Sequence, residues 1–267
     1  MLRATEIFFS YGTAPVLRGV SVDVPARGFV GILGPNGSGK TTLLRILAGT
    51  VPPASGCVLL DGEDLARTPR AAIARRMGVV PQETHLAFDY TVMEVVLMGR
   101  YPHLGAFELE GPSDFAIARE ALAATDTLAF EDRIFATLSG GEKQRVIIAS
   151  ALAQIMGASS DGVLLLDEPT VALDLSYQLE LASLLLDLQA RLPIAIAVST
   201  HDLNFAASVC RTLVLLKNGS VIATGPTAEV LTPALILELY GVEADVSRHA
   251  ASGRMVVVPV RRAGAGR

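Results

Sequence analysis

Hydrophobic positions along the chain fall into short runs with two periods. "GFVGILG" at 28–34 is an unbroken apolar run that ends in a glycine-rich turn. The following "KTTLLRILAG" is apolar at helical spacing and is closed by Gly49. Further apolar runs stand at 58–60, 77–80, 163–166, 195–200 and 213–216. Such runs fit strands buried on both faces of a parallel sheet. Between several of them lie helical patterns, as in "YQLELASLLLDLQARL", whose leucines recur at three and four. The alternation predicts a wound parallel sheet. From about 88 to 160 the rhythm breaks, because "TVMEVVLMGR" and "SDFAIAREALAATDTL" are helical and no strand intervenes before Val163. Thr91 and Glu94 have capping-box spacing, which predicts a helix start there. Near the beginning, "IFFSYG", "VSVDVP" and "CVLLDGEDL" predict short strands of a small antiparallel flank, and "MVVVP" predicts one more strand late in the chain.

Composition narrows the picture only slightly. The 267 residues carry a net charge of −5, so nothing global points to nucleic acid. Charged residues are 18 % and mean hydropathy is +0.45, high for a chain without a membrane span. Even so, no apolar run reaches the roughly 18 residues that a spanning helix needs. "MLRATEIFFSYG" has charges and no cleavage-like site, so no secretory leader is expected. Two cysteines, Cys57 and Cys210, are too few for a disulfide framework and are expected as reduced core residues of a soluble cytosolic protein. His85, His103 and His249 lack metal-like spacing and are read as surface residues.

"GPNGSGKT" at 34–41 changes the picture most. It matches the P-loop pattern and sits between a predicted strand and a predicted helix, the context that confirms the motif. Across Gly34, Pro35, Asn36, Gly37, Ser38, Gly39 and on to Thr42, the backbone can close around a β-phosphate at a helix N-terminus. Lys40 is expected to bridge β- and γ-phosphate oxygens, and the Thr41 hydroxyl to ligate Mg²⁺. The fold class expected is therefore α/β, a RecA-like P-loop NTPase core of mixed sheet with a small antiparallel β flank and an inserted helical subdomain.

"GVLLLDEPT" places Asp167 at the carboxyl end of a buried strand, where it can hold the metal's water shell. Glu168 follows, poised to polarise an attacking water. His201 closes the run "IAIAVSTHD" and is read as a γ-phosphate hydrogen-bonding group. "LSGGE" at 138–142 poses a different question. Ser139 and Glu142 spell a capping box, which needs neither Gly140 nor Gly141. Each glycine in a first helical turn costs ~0.5–1 kcal/mol relative to alanine. A serine and two glycines there make a second anion-binding nest, and a nest far along the chain from the P-loop would face the nucleotide of a second copy.

"GPNGSGKT", Gln82 in "VVPQET", "LSGGE", "VLLLDEP", "VALD" and "STHD" together resemble the ATP-binding subunits of ABC transporters, over roughly residues 2 to 245. The resemblance implies an ATP-binding domain over 1–245, with its core at about 1–87 and 161–245, its insert at about 88–160, and a partly flexible extension at 246–267. It implies that Tyr11 stacks on adenine, that Gln82 senses the γ-phosphate and Mg²⁺, and that Glu168 is the general base. It further implies that His201 holds the γ-phosphate and that Asp174 lies at the seam of a head-to-tail dimer sandwiching two ATP molecules. Ser139 and Gly141 would then contact the nucleotide on the partner's P-loop. Plainer readings stand beside these: Tyr11 as a half-buried strand residue, Gln82 as a loop residue, and Asp174 as the N-cap of the helix after it.

The strings "VLMGRYPHLG", "ASALAQ" and "LILELYGVEADV" are similar to those of iron-siderophore, heme and cobalamin importers. That likeness implies integral-membrane permease subunits, a periplasmic or extracellular binding protein, and a peripheral place on the cytoplasmic face of the membrane. A soluble ABC ATPase without a permease is the alternative, although neither a second cassette nor a basic face is visible. The five arginines of "SRHAASGRMVVVPVRRAGAGR" fit either contact with anionic lipid or a frayed, solvated end.

Overall fold

The computed structural model describes residues 1–84, 86–157, 161–171, 173–250 and 253–262. His85 and the final 263–267 lie outside the described residues. The chain forms two compact units, one of 1–66 with 197–267 and one of 67–196.

The first unit opens with β1 (Leu2–Tyr11), β2 (Ala14–Val24), β3 (Phe29–Leu33), α1 (Lys40–Leu47), β4 (Ser55–Leu60) and β5 (Glu63–Asp64). The second unit holds α2 (Arg70–Ala74), β6 (Met77–Val80), α3 (Val92–Leu97), α4 (Pro112–Ala124), α5 (Gly140–Ile155), β7 (Gly162–Asp167) and α6 (Leu175–Arg191). β8 (Ile194–Thr200) begins in the second unit and ends in the first. The first unit resumes with α7 (Leu203–Val209), β9 (Thr212–Lys217), β10 (Ser220–Pro226), α8 (Thr227–Val230), α9 (Pro233–Tyr240), β11 (Val242–Arg248) and β12 (Met255–Arg262).

In the first unit, β2, β1, β4 and β5 lie side by side as an antiparallel sheet, the expected flank. β3 pairs in parallel with β9, and β9 pairs antiparallel with β10, so the sheet here is mixed. All five residues of β3 and all seven of β8 are buried, which explains their unbroken apolar spelling. β11 and β12 form a separate hairpin. It is fastened to α7 by Asn204, whose amide donates to the Val257 carbonyl at 3.1 Å and accepts from the Val257 N–H at 2.9 Å.

In the second unit, β6 pairs in parallel with β7, with Val80 opposite Leu166. Between these strands the regular elements among the described residues are helices, apart from a single bridge of Thr91 with Ile134. Thr91 does cap α3 through the predicted box: its hydroxyl accepts from the Glu94 N–H, and Glu94 accepts from the Thr91 N–H. A 3-10 turn over Met98–His103 follows and grips the end of α5. The buried Arg100 guanidinium donates to the Ala153 and Met156 carbonyls at 2.6 and 3.0 Å, and to Asp114 at 3.0 Å. A cation there complements the negative end of the helix. The His103 ring bonds the Gln154 carbonyl at 2.7 Å, so this histidine is half-buried rather than a surface residue. Burial holds its pKa below the ordinary value. Of the two free cysteines only Cys210 lies in the core; Cys57, on β4 beside β1, is half-buried. No described helix is long and apolar enough to cross a membrane.

Candidate functional site

The expected site residues fall in both units, and each set is built by its own strand-to-helix junctions. In the first unit the loop 34–39 leaves buried β3 and enters α1. The Gly34 N–H reaches the Thr200 carbonyl at 3.4 Å, and the Gly219 N–H holds the Ser38 carbonyl at 3.1 Å. Anchored so, the loop keeps its exposed tip at Asn36 and Gly37. Gly37 has φ of +77°, a conformation that L side chains rarely adopt, and among the described residues no atom stands within 4 Å of where its Cβ would be. Lys40 is buried, and its ammonium donates to the Gly34 and Pro35 carbonyls at 2.8 and 3.2 Å. Thr42 is buried and Thr41 half-buried in the same first turn.

Two observations test whether this loop suits a triphosphate. α1 has no side-chain cap among the described residues and no acid in its first turn, so its leading N–H groups lack intrahelical partners. The Ser38 hydroxyl is buried, with no hydrogen-bond partner among the described residues. A helix start without a side-chain cap and an orphan serine hydroxyl beside a buried ammonium fit a polyanion. His201 follows the Thr200 that Gly34 touches, and its carbonyl accepts from the Tyr240 hydroxyl at 3.2 Å. Tyr11 ends β1 with half its surface exposed and packs edge-on against Phe9 at 4.9 Å.

In the second unit, Asp167 is the last residue of β7 and is buried, as is Glu168. Glu168 has φ of +48°. A non-glycine residue in the left-handed region stores strain, a habit of functional sites. Gln82 is exposed two positions beyond Val80, as Glu168 is two beyond Leu166, so both leave the paired strands at one edge.

Ser139 caps α5 in the expected box. Its amide donates to Glu142 at 2.7 Å, and its hydroxyl accepts from the Glu142 N–H at 3.3 Å. The Ser139 amide first, and then its hydroxyl, hold the Glu142 carboxyl below the usual carboxylate range. Asp174 caps α6, accepting from the Tyr177 N–H at 3.0 Å. The two glycines of the corner differ. Around Gly140 a Cβ would meet nothing within 4 Å, whereas at Gly141 it would lie 2.1 Å from the Tyr177 ring. The sequence reading missed Tyr177, because no local pattern signals a ring arriving from another helix.

The ABC transporter family matches residues 17–171. The chain is 37 % identical over 261 residues to the ferric enterobactin transport ATP-binding protein FepC of Escherichia coli K12, covering 98 % of this chain and 94 % of that one. It is 41 % identical over 258 residues to the hemin import ATP-binding protein HmuV of Pseudomonas aeruginosa, covering 97 % and 99 %. It is 38 % identical over 245 residues to the cobalamin import ATP-binding protein BtuD of Halobacterium salinarum, covering 92 % and 60 %. Among solved structures, it matches an inward-facing metal-chelate type ABC transporter at TM-score 0.83 and 29 % identity, covering 97 % and 96 %. It also matches the dimeric MJ0796, a bacterial ABC transporter cassette, at TM-score 0.72 and 28 % identity, covering 85 % and 99 %. With the glycine-rich loop between β3 and α1 and these relatives along nearly its whole length, the chain belongs to the ABC transporter family, as an ATP-binding and ATP-hydrolysing subunit.

Proposed function

We propose that this subunit powers a membrane permease that imports an iron chelate, heme or cobalamin, working on the cytoplasmic face as a head-to-tail pair around two ATP molecules. What carries the reading is likeness over at least 92 % of this chain to one transport and two import ATP-binding proteins, joined to a P-loop whose helix start has no side-chain cap and whose buried serine hydroxyl lacks a partner among the described residues. An external binding protein would deliver the ligand to the permease.

In this reading the ATP-binding domain is 1–245, with its core at about 1–87 and 161–245 and its helical insert at about 88–160. Tyr11 receives adenine. The backbone of Gly34, Pro35, Asn36, Gly37, Ser38 and Gly39, with Lys40 and Thr42, wraps the phosphates. Lys40 exchanges its carbonyl partners for phosphate oxygens, a stronger charge-assisted bond. Thr41, Asp167 and Gln82 would hold Mg²⁺, whose charge neutralises the β- and γ-phosphates. Glu168 takes the proton from the attacking water, and its strained backbone fixes the carboxylate in place. His201 holds the γ-phosphate end. Ser139, Gly140, Gly141 and Glu142 present their corner to the ATP on the partner's loop, with Asp174 at the seam.

Glu168→Gln tests this directly. With Mg²⁺ and ATP it is expected to turn over about 100-fold or more slowly than the native chain and to elute as a dimer in size-exclusion chromatography. Undiminished turnover would remove Glu168 from its role, and a persistent monomer would remove the ATP-sandwich dimer. Uptake of radiolabelled heme, ferric siderophore or cobalamin into vesicles carrying the co-purified permease identifies the cargo. No ATP-dependent uptake of any of the three would sink the importer reading.

A further inference from the structure

We infer that Tyr177 is a positioning residue for the serine–glycine corner, and that Gly141 lacks a side chain to admit this ring of its own chain. The inference rests on the proposed role of that corner. Its first support is the difference between neighbouring glycines. Gly140, next to the cap, is open, so a ligand can approach there. At Gly141 a Cβ would stand 2.1, 2.5 and 2.6 Å from Cδ1, Cε1 and Cγ of Tyr177, distances that no carbon pair tolerates. Three atoms of the half-buried ring, down to the Cγ at its base, occupy the space, so a Cβ there would have to displace the ring itself.

The second support is the polar ends of the same residue. The Tyr177 hydroxyl lies 3.4 Å from Ser139 Oγ, and its N–H is held by Asp174 at 3.0 Å. Ser139 Oγ already accepts from the Glu142 N–H, so a neighbouring hydroxyl limits how the serine can turn. Tyr177 thus spans the first turns of α5 and α6. It fixes the serine–glycine corner and Asp174, the two segments assigned to the seam, as one piece. Keeping that piece in shape before closure lowers the ordering cost when two copies meet.

The test is a double-mutant cycle on the full chain with Gly141→Ala, Tyr177→Ala and both together, and with Tyr177→Phe alongside. ATP turnover against ATP concentration, ATP-driven dimerisation in the Glu168→Gln background, ATP binding to the monomer and thermal unfolding are read for each. Gly141→Ala is expected to lower kcat by about 100-fold or more while ATP binding to the monomer stays native. Tyr177→Ala is expected to raise the ATP concentration for half-maximal dimerisation about 10-fold, with Tyr177→Phe within about 3-fold of native. The double variant should recover to within about 3-fold of Tyr177→Ala alone. Its melting temperature should also return toward that of Tyr177→Ala, whereas Gly141→Ala alone melts earlier. A double variant as inactive as Gly141→Ala, with no recovery in melting, overturns the inference. So does a Gly141→Ala variant that dimerises like the native chain. Failure of Glu168→Gln itself to dimerise with ATP strikes the proposed function instead, and the melting comparison still decides the role of Tyr177.

Discussion

α1 and α5 begin with the same ingredients, a serine and glycines at a helix N-terminus, and end up as opposite devices. At α1 no side chain caps the helix, no acid stands in the first turn, and a buried serine hydroxyl lacks a partner among the described residues. At α5 the serine and Glu142 close a reciprocal box, Tyr177 backs the second glycine, and Arg100 closes the far end. The lesson concerns the local partners. One glycine-rich helix start is left without a side-chain cap, and the other is capped and backed by its own chain.

The most severe way to break the comparison is to open the closed helix. Arg100→Ala strands Asp114, whose carboxyl is held low first by the Gly111 amide and also by the guanidinium. It should cost about 3–5 kcal/mol in denaturant unfolding, because the buried partner is left uncompensated. Next, Lys40→Ala should weaken ATP binding by about 100-fold or more in calorimetric titration, through loss of charge-assisted bonds. The corresponding change at α5, Ser139→Ala, should leave monomeric ATP binding native yet lower stability by about 1 kcal/mol, the usual worth of a cap.

The mildest test is pH. Glu142 titrates below the usual carboxylate range when folded, first because of the Ser139 amide. Its contribution is therefore full above the unfolded value, near pH 4.3, and is lost as pH falls through the lower folded value. The native chain should exceed Glu142→Gln in melting temperature at pH 7, and the two should converge in stronger acid. The α1 turn carries no acid to titrate in this way. A gap that widens on acidification would show that the box is not what Glu142 stabilises.

Much of this was legible in advance. Strands buried on both faces spell themselves as apolar runs, so β3, β7 and β8 were visible, as were the loop after β3 and the caps at Thr91 and Ser139. β10 and β11 were not, since their residues are mostly half-buried and lack a clear period. The role of Arg100 stayed hidden because its partners at Ala153 and Met156 stand 53 and 56 residues away. Tyr177 escaped for the same reason, lying 38 residues from Ser139. Cys57 was read as core from residue type alone, yet an antiparallel flank leaves one side of its strand half open. Local periodicity reports what a segment is; it says nothing of what arrives from elsewhere.

The grip of Arg100 and His103 on the end of α5 has a mechanical consequence. A helix of 16 residues is stiff over its length of about 24 Å, and here the segment 98–103 holds one tip while the serine–glycine corner is the other. Force applied to that short turn does not dissipate in a hinge. It travels along a rod, and a tilt of the near tip swings the far one.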